Sequence, residues 1–262
     1  MTTYVVVAGA WLGGWAWRPV TERLREQGHQ VHPVTLTGLG DRSHLATPET
    51  DLDTYITDVV NLIEVEDLQD VVLVGHSYGG IVVTGVADRV PERLSLVAYL
   101  DAGPSPDGAA FLDSQSPAAT ELLERLVDQA GDGWRLPMPP WDQLEGVMGA
   151  SLEGLGSTER GRMRAHATAQ PFRTWTQPLA LQGRAAEKLP KLLISCSIPL
   201  DQVRRMIADG HPWFAALGGP EWSFQELPTG HWPMFSVPED LAALLGDLEV
   251  ASRGHADNPT RR

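Results

Sequence analysis

Cysteine is almost absent from this chain: Cys196 is the only one in 262 residues. A single thiol excludes an intrachain disulfide framework and any cysteine-based metal site. Long apolar runs are also missing. No stretch reaches the roughly 18 residues that a helical membrane span needs. The start Met1-Thr2-Thr3-Tyr4-Val5-Val6-Val7 lacks the positive n-region and long apolar core of a signal peptide. The expectation from these absences is a cytoplasmic protein with no membrane partner. Positive charge is scarce as well, with 20 Lys and Arg against 34 Asp and Glu, a formal net charge of −14. Phosphate backbones are bound by clustered Lys and Arg, so nucleic acid is not an expected partner. No internal repeat is present.

What the chain does have is ordinary globular composition, 42% hydrophobic and 21% charged, at a length that suits one large α/β domain. Through the first hundred residues, apolar strand-like runs alternate with helical patterns. The runs lie at 4–8, 30–36, 71–74 and Leu94–Leu100. Between them fall a helix with Trp17, Val20 and Leu24 on one face, a second at Leu52–Val65, and a third at 80–90. Unbroken apolar strands separated by helices indicate a mostly parallel central sheet covered on both faces. From 104 to 183 the rhythm changes to prolines, acidic helical stretches and bulky Trp134, Met138, Trp141 and Met148, which reads as an inserted helical cap. The sheet pattern resumes at 191–196 and 222–227, with a short helix at Leu200–Ala208 between them and a final helix carrying Leu241, Leu244, Leu245 and Leu248. The expected division is therefore 1–103 and 184–250 for the two parts of the core, 104–183 for the cap, and 251–262 for a tail too poor in apolar residues to be ordered.

Within this frame one pentapeptide carries chemistry: Gly75-His76-Ser77-Tyr78-Gly79. A G-x-S-x-G by itself is weak in a chain with 26 glycines. Here a buried-strand run, Val71-Val72-Leu73-Val74, precedes it and a helical run begins at Gly79. Strand, tight turn and helix in that order present a serine oxygen above the sheet. A serine hydroxyl needs a base to attack near neutral pH. Among eight histidines, His231 is best placed, between the last strand and the last helix, where the chain returns to the carboxyl edge of the sheet. His76 adjoins the serine and is expected to pack, and His166 falls in the cap. An oxyanion needs two N–H donors: the amide of Tyr78, which follows the serine, and the amide of Ala10 in Gly9-Ala10-Trp11-Leu12-Gly13-Gly14, the loop after the first strand.

Four segments in this order, Ala8-Gly9-Ala10-Trp11-Leu12-Gly13-Gly14-Trp15-Ala16-Trp17, Thr35-Leu36-Thr37-Gly38-Leu39-Gly40, Gly75-His76-Ser77-Tyr78-Gly79-Gly80 and Gly230-His231-Trp232-Pro233-Met234, give the chain a family likeness. It resembles the small bacterial carboxylesterases, pyrethroid hydrolases among them, that are related to plant methylesterases and hydroxynitrile lyases. The resemblance runs to about Leu248. It implies an α/β-hydrolase fold, a helical cap over an apolar pocket, no cofactor, and ester hydrolysis through an acyl-enzyme. The chain departs from the family in three places. Ala8-Gly9 stands where members usually have His-Gly. The loop after the strand at 191–196 is short and lacks the usual acid. Trp232 follows the histidine where the lyases carry lysine.

Two carboxylates compete to orient His231, a role that needs an acceptor for the second imidazole nitrogen. Asp101 ends the strand Leu94–Leu100, at the sheet edge where catalytic groups of such folds gather. Asp201 is the alternative, close to the family's usual position but in the first turn of a helix, where the dipole alone favours an acid. Trp11, Trp134, Trp141 and Trp232 are expected to line an apolar or aromatic substrate pocket. The expected partner is a small-molecule ester, with a homodimer left open. Two alternatives to hydrolysis stand beside it: a lyase or lactone-processing enzyme on the same site, and a non-catalytic small-molecule receptor on a hydrolase scaffold.

Overall fold

A computed structural model of the chain describes residues 1–183, 185–210 and 214–248; the tail at 251–262 lies outside the described residues. Six strands form one sheet: β1 (Thr3–Val7), β2 (Gln30–Val34), β3 (Val71–His76), β4 (Leu94–Leu100), β7 (Lys191–Ser195) and β8 (Trp222–Glu226), in the order β2-β1-β3-β4-β7-β8 and with every neighbouring pair parallel. The central strands β3 and β4 are buried at every position, which is why they read as unbroken apolar runs rather than as an alternation. Edge positions look different. Pro33 lies in β2, where a residue without an N–H costs no ladder bond on the open side, and β8 is largely exposed.

Helices follow the strands. Val20 and Leu24 of α1 (Arg18–Glu26) are buried, as are Tyr55, Ile56, Val59 and Ile63 of α2 (Leu52–Val65). Asp51 starts α2 by accepting the Thr54 amide at 3.0 Å, with the Thr54 side chain returning to the Asp51 amide; such a cap contributes about 1 kcal/mol. Next comes α3 (Gly79–Arg89), directly after β3. The later helices α8 (Leu200–Ala208), α9 (Pro233–Ser236) and α10 (Pro238–Gly246) complete the covering, and α10 packs on α1. Periodicity alone does not reveal α9, a single turn opened by Pro233.

Between β4 and β7 the chain leaves the sheet for α4 (Pro117–Ala130), α5 (Trp141–Gly146), α6 (Ser157–His166) and α7 (Arg173–Thr176). One feature of this segment departs from the helical expectation: β5 (Arg135–Leu136) and β6 (Gln170–Pro171) pair as a two-residue antiparallel ribbon. Runs so short carry no periodicity to detect.

Strand order fixes where a site can form. From β1 the chain moves outward to β2 and then crosses back over β1 to β3. The β1 and β3 connections therefore leave the sheet in opposite directions and open a crevice at the carboxyl ends of those two strands. Ala10 and Ser77 follow those ends.

Candidate active site

Ser77 sits between β3 and α3 with φ +51, in the left-handed region that L-residues adopt only when the surroundings enforce it. Its amide donates to Leu100 O at 3.2 Å, which ties the turn to β4. Glycine is required on both sides. A Cβ on Gly75 would lie 2.6 Å from Gly79 O and 2.6 Å from Val83 Cγ2, and one on Gly79 would meet Val7 O and Ala8 O at 3.0 Å. The turn can be this tight only because those atoms are absent.

Three side chains from distant parts of the chain meet there. His231 Nε2 lies 2.8 Å from Ser77 Oγ, and His231 Nδ1 lies 2.6 Å from Asp101 Oδ2. A carboxylate only accepts, so Nδ1 carries the proton and Nε2 is left as the acceptor facing the serine hydroxyl. Asp101 follows β4 at φ +44, a conformation aspartate tolerates better than most residues. Burial disfavours its charged form. The hydrogen bond and charge of His231, with the hydroxyl and amide of Ser197, outweigh that and hold the carboxyl below the ordinary carboxylate value. Four donors serve this one side chain: His231 Nδ1, the amides of Cys196 and Ser197 at 3.0 and 2.9 Å, and Ser197 Oγ at 2.7 Å. The short loop after β7 thus supplies donors to a carboxylate on the neighbouring strand. Asp201 is not part of this cluster. It is exposed in the first turn of α8 and pairs with Arg205 at 2.6 Å.

The backbone of His231 is fastened from both sides. Its amide donates to Ser151 O at 2.8 Å, and its carbonyl accepts from His76 Nε2 at 2.6 Å. Burial, reinforced by the nearby His231, holds the His76 imidazole well below its usual value of 6.5 and therefore neutral; its Nδ1 has no partner among the described residues. His76 packs, as its place beside the serine suggested, and His166 lies exposed at the end of α6. Cys196 is buried near Asp101, and burial pushes its thiol well above the ordinary range, so it stays protonated. Among the described residues no three His, Cys, Asp or Glu side chains are grouped as metal ligands.

Neither the Ala10 amide nor the Tyr78 amide has a protein acceptor among the described residues, whereas the neighbouring Trp11 amide donates to Gln170 Oε1 at 3.1 Å. Two unpaired amides thus flank Ser77, which lines a cavity of about 420 Å³. Of the four tryptophans put forward from the sequence, Trp11 and Trp232 line this cavity, and Trp134 and Trp141 do not. The Arg135 guanidinium carbon lies over Trp134, 5.1 Å from the ring centroid, and Trp141 is edge-on to Trp232 at 6.1 Å and lies beneath Arg164. Both are large apolar residues with a cation to cover, and composition does not say which way a ring points. Trp175 and Phe111 take the wall positions instead. Trp175 stacks on Tyr78 at 5.6 Å and leans on Trp11 at 5.7 Å. No sequence signal singles it out.

Residues 4–244 match the family model described as the alpha/beta hydrolase family. A carbendazim-hydrolysing esterase from Nocardioides sp. (strain SG-4G) is 34% identical, over 95% of this chain and 100% of that protein. A pyrethroid hydrolase from Sphingobium wenxiniae is 27% identical, over 100% of this chain and 92% of its own length. Among solved structures, an extracellular α/β-hydrolase from a Paenibacillus species superposes with a TM-score of 0.74 at 25% identity, covering 94% of this chain and 98% of that one. Full-length likeness on both counts, with the serine turn and the parallel sheet, means that the chain belongs to the α/β-hydrolase family.

Proposed function

We propose that the protein is a carboxylic ester hydrolase that acts on a small apolar or aromatic ester through an acyl-enzyme on Ser77. The observation that carries this reading is the hydrogen-bonded series Ser77 Oγ, His231 Nε2, His231 Nδ1, Asp101 Oδ2, at 2.8 and 2.6 Å, opening into a largely apolar cavity. Ser77 Oγ attacks the ester carbonyl as His231 Nε2 takes its proton. Asp101 stabilises the imidazolium that forms. The amides of Ala10 and Tyr78 hold the developing oxyanion. Collapse of the tetrahedral intermediate expels the alcohol, which leaves with the proton from His231. Water, deprotonated by the same nitrogen, then attacks the acyl carbon, and the acid departs as Ser77 recovers its proton.

Residues 104–183 act in this reading as a cap, and 1–103 with 184–250 form the core. The cap contributes Phe111, Leu144, Met148 and Trp175 to the wall. Among the described lining residues, Asp101 and His231 are the only titratable side chains, and both are engaged with each other. A neutral substrate suits such a wall, because an unpaired ion inside it would be desolvated without a partner. Carbendazim and pyrethroids, named for two relatives, are the first compounds to try.

The test is p-nitrophenyl ester hydrolysis, with fluorophosphonate labelling, by wild type, Ser77→Ala, Asp101→Asn and Asp201→Asn. Ser77→Ala is expected to lose labelling and turnover. Asp101→Asn should lose about 10⁴-fold in kcat, because the imidazole then presents the wrong tautomer, and Asp201→Asn should stay within about twofold, as suits an exposed helical pair. A folded wild type that neither labels nor hydrolyses would sink the reading.

A further inference from the structure

The strained residue of the loop carrying Ala10 is held from the cap. Trp11 occupies the third position of a turn closed by Leu12 N to Gly9 O at 3.3 Å, with φ +64. Glycine or asparagine is usual there, since a side chain strains the left-handed conformation. Every polar group of Trp11 is nevertheless taken by residues more than 120 positions away. Its amide donates to Gln170 Oε1 at 3.1 Å, its carbonyl accepts from Thr168 N at 3.0 Å, and its indole N–H donates to Leu136 O at 3.0 Å.

Gln170 is fully buried, and its other end continues the chain of bonds. Gln170 Nε2 donates to Thr174 Oγ1 at 2.9 Å, Thr174 Oγ1 donates to Pro171 O at 2.7 Å, and Thr174 O accepts from the Tyr78 hydroxyl at 2.7 Å. Thr174 is fully buried too. One pair of cap residues therefore holds the residue after Ala10 and the residue that carries the second amide. The Gln170 bond fixes the peptide between Ala10 and Trp11; without it the turn can relax toward negative φ at Trp11 and swing the adjoining Ala10 amide off its line.

We infer that Gln170, braced by Thr174, is a positioning residue that sets the two N–H donors of the oxyanion site. The inference rests on the ester-hydrolase reading above. Its effect belongs to the tetrahedral state, because the amides bind charge that the ground-state ester does not have.

Wild type, Gln170→Met, Thr174→Val and Thr174→Ser are compared in p-nitrophenyl butyrate hydrolysis. They are also compared in inhibition by a matched pair of ketones: trifluoroacetophenone, which adds to a serine as a tetrahedral oxyanion, and acetophenone, which does not. In Gln170→Met and Thr174→Val, kcat and trifluoroacetophenone affinity should fall together by about 10- to 100-fold. KM and acetophenone affinity should change less than about twofold, and Thr174→Ser, which keeps the hydroxyl, should recover kcat to within about threefold. Equal weakening of both ketones, or unchanged trifluoroacetophenone affinity in a folded variant, overturns the inference. If Gln170→Met does not fold, the Thr174→Val and Thr174→Ser pair decides by the same readouts. A wild type that hydrolyses no ester and binds no trifluoroacetophenone overturns the hydrolase reading and this inference with it; a wild type that does both isolates the test to Gln170 and Thr174.

Discussion

Ser77 and Trp11 both stand in left-handed backbone conformations, at φ +51 and +64, but different parts of the chain hold them there. The serine turn is built by its own neighbourhood: the strand before it, the helix after it, Gly75 and Gly79 inside it, and one bond to the adjacent strand through Leu100 O. The Trp11 turn contains no glycine at its strained position and is held by Leu136, Thr168 and Gln170 of the inserted segment. Strain at a functional turn must be over-determined by its surroundings. The first turn meets that requirement with local backbone geometry, and the second with tertiary hydrogen bonds.

Of the two turns, breaking the local one is expected to have the larger effect. Gly75→Ala places a methyl 2.6 Å from Gly79 O and Val83 Cγ2, an overpacking that costs about 1–3 kcal/mol. Displacing the serine in this way should lower kcat/KM by about 100-fold or more, read from ester hydrolysis alongside urea unfolding. Full activity in this variant would show that the elbow is not held as described.

Weakening the distant turn should cost less. Trp11→Phe keeps an aromatic ring but leaves Leu136 O without its indole donor. Losing that one hydrogen bond costs about 0.5–1.5 kcal/mol, and because the Gln170 and Thr168 bonds remain, kcat should fall by no more than about tenfold. A loss as large as that of Gly75→Ala would erase the distinction between the turns.

The smallest effect sharpens the comparison from the side of His231, whose carbonyl is held by His76. Unfolded, His76 takes up a proton near 6.5; folded, burial keeps it neutral to much lower pH. The unfolded state therefore binds more protons, and stability falls as the pH drops from 6.5 toward the folded value. His76→Gln keeps an N–H donor and removes the titration, so its stability should decline less between pH 6.5 and 4.5, by up to about 1.4 kcal/mol per pH unit. Asp101, whose pKa is also lowered, adds its own loss only below its unfolded value of 3.8, outside that window. Urea midpoints measured across the range check both.

The same contrast explains how much of the site was legible. Helix Leu52–Val65, strand Leu94–Leu100 and helix Leu200–Ala208 coincide with their periodic patterns, because burial of one face acts over a few residues and leaves its period in the sequence. The serine turn is legible for the same reason. Asp101 and Asp201 could not be separated that way. The bond that distinguishes them spans 130 residues, and the donors that complete the Asp101 site come from the loop at Cys196 and Ser197 on another strand. Trp134 and Trp141 are candidates by size and place in the chain, yet a ring's direction depends on its packing partners, and Trp175, with the same chemistry, lines the cavity instead.

By itself, then, the sequence determined the strand and helix succession and the serine turn, and it put His231 forward as the candidate histidine. These follow from local sterics and from apolar periodicity along contiguous residues. Only the tertiary structure decided which carboxylate meets that histidine, which aromatic rings face the cavity, and that Gln170 and Thr174 brace the turn at Trp11. Each of those is a contact between segments brought together by the crossing of β1 and β3 and by the fold-back of residues 104–183, and a hydrogen bond closed across such a distance leaves no local pattern in either segment.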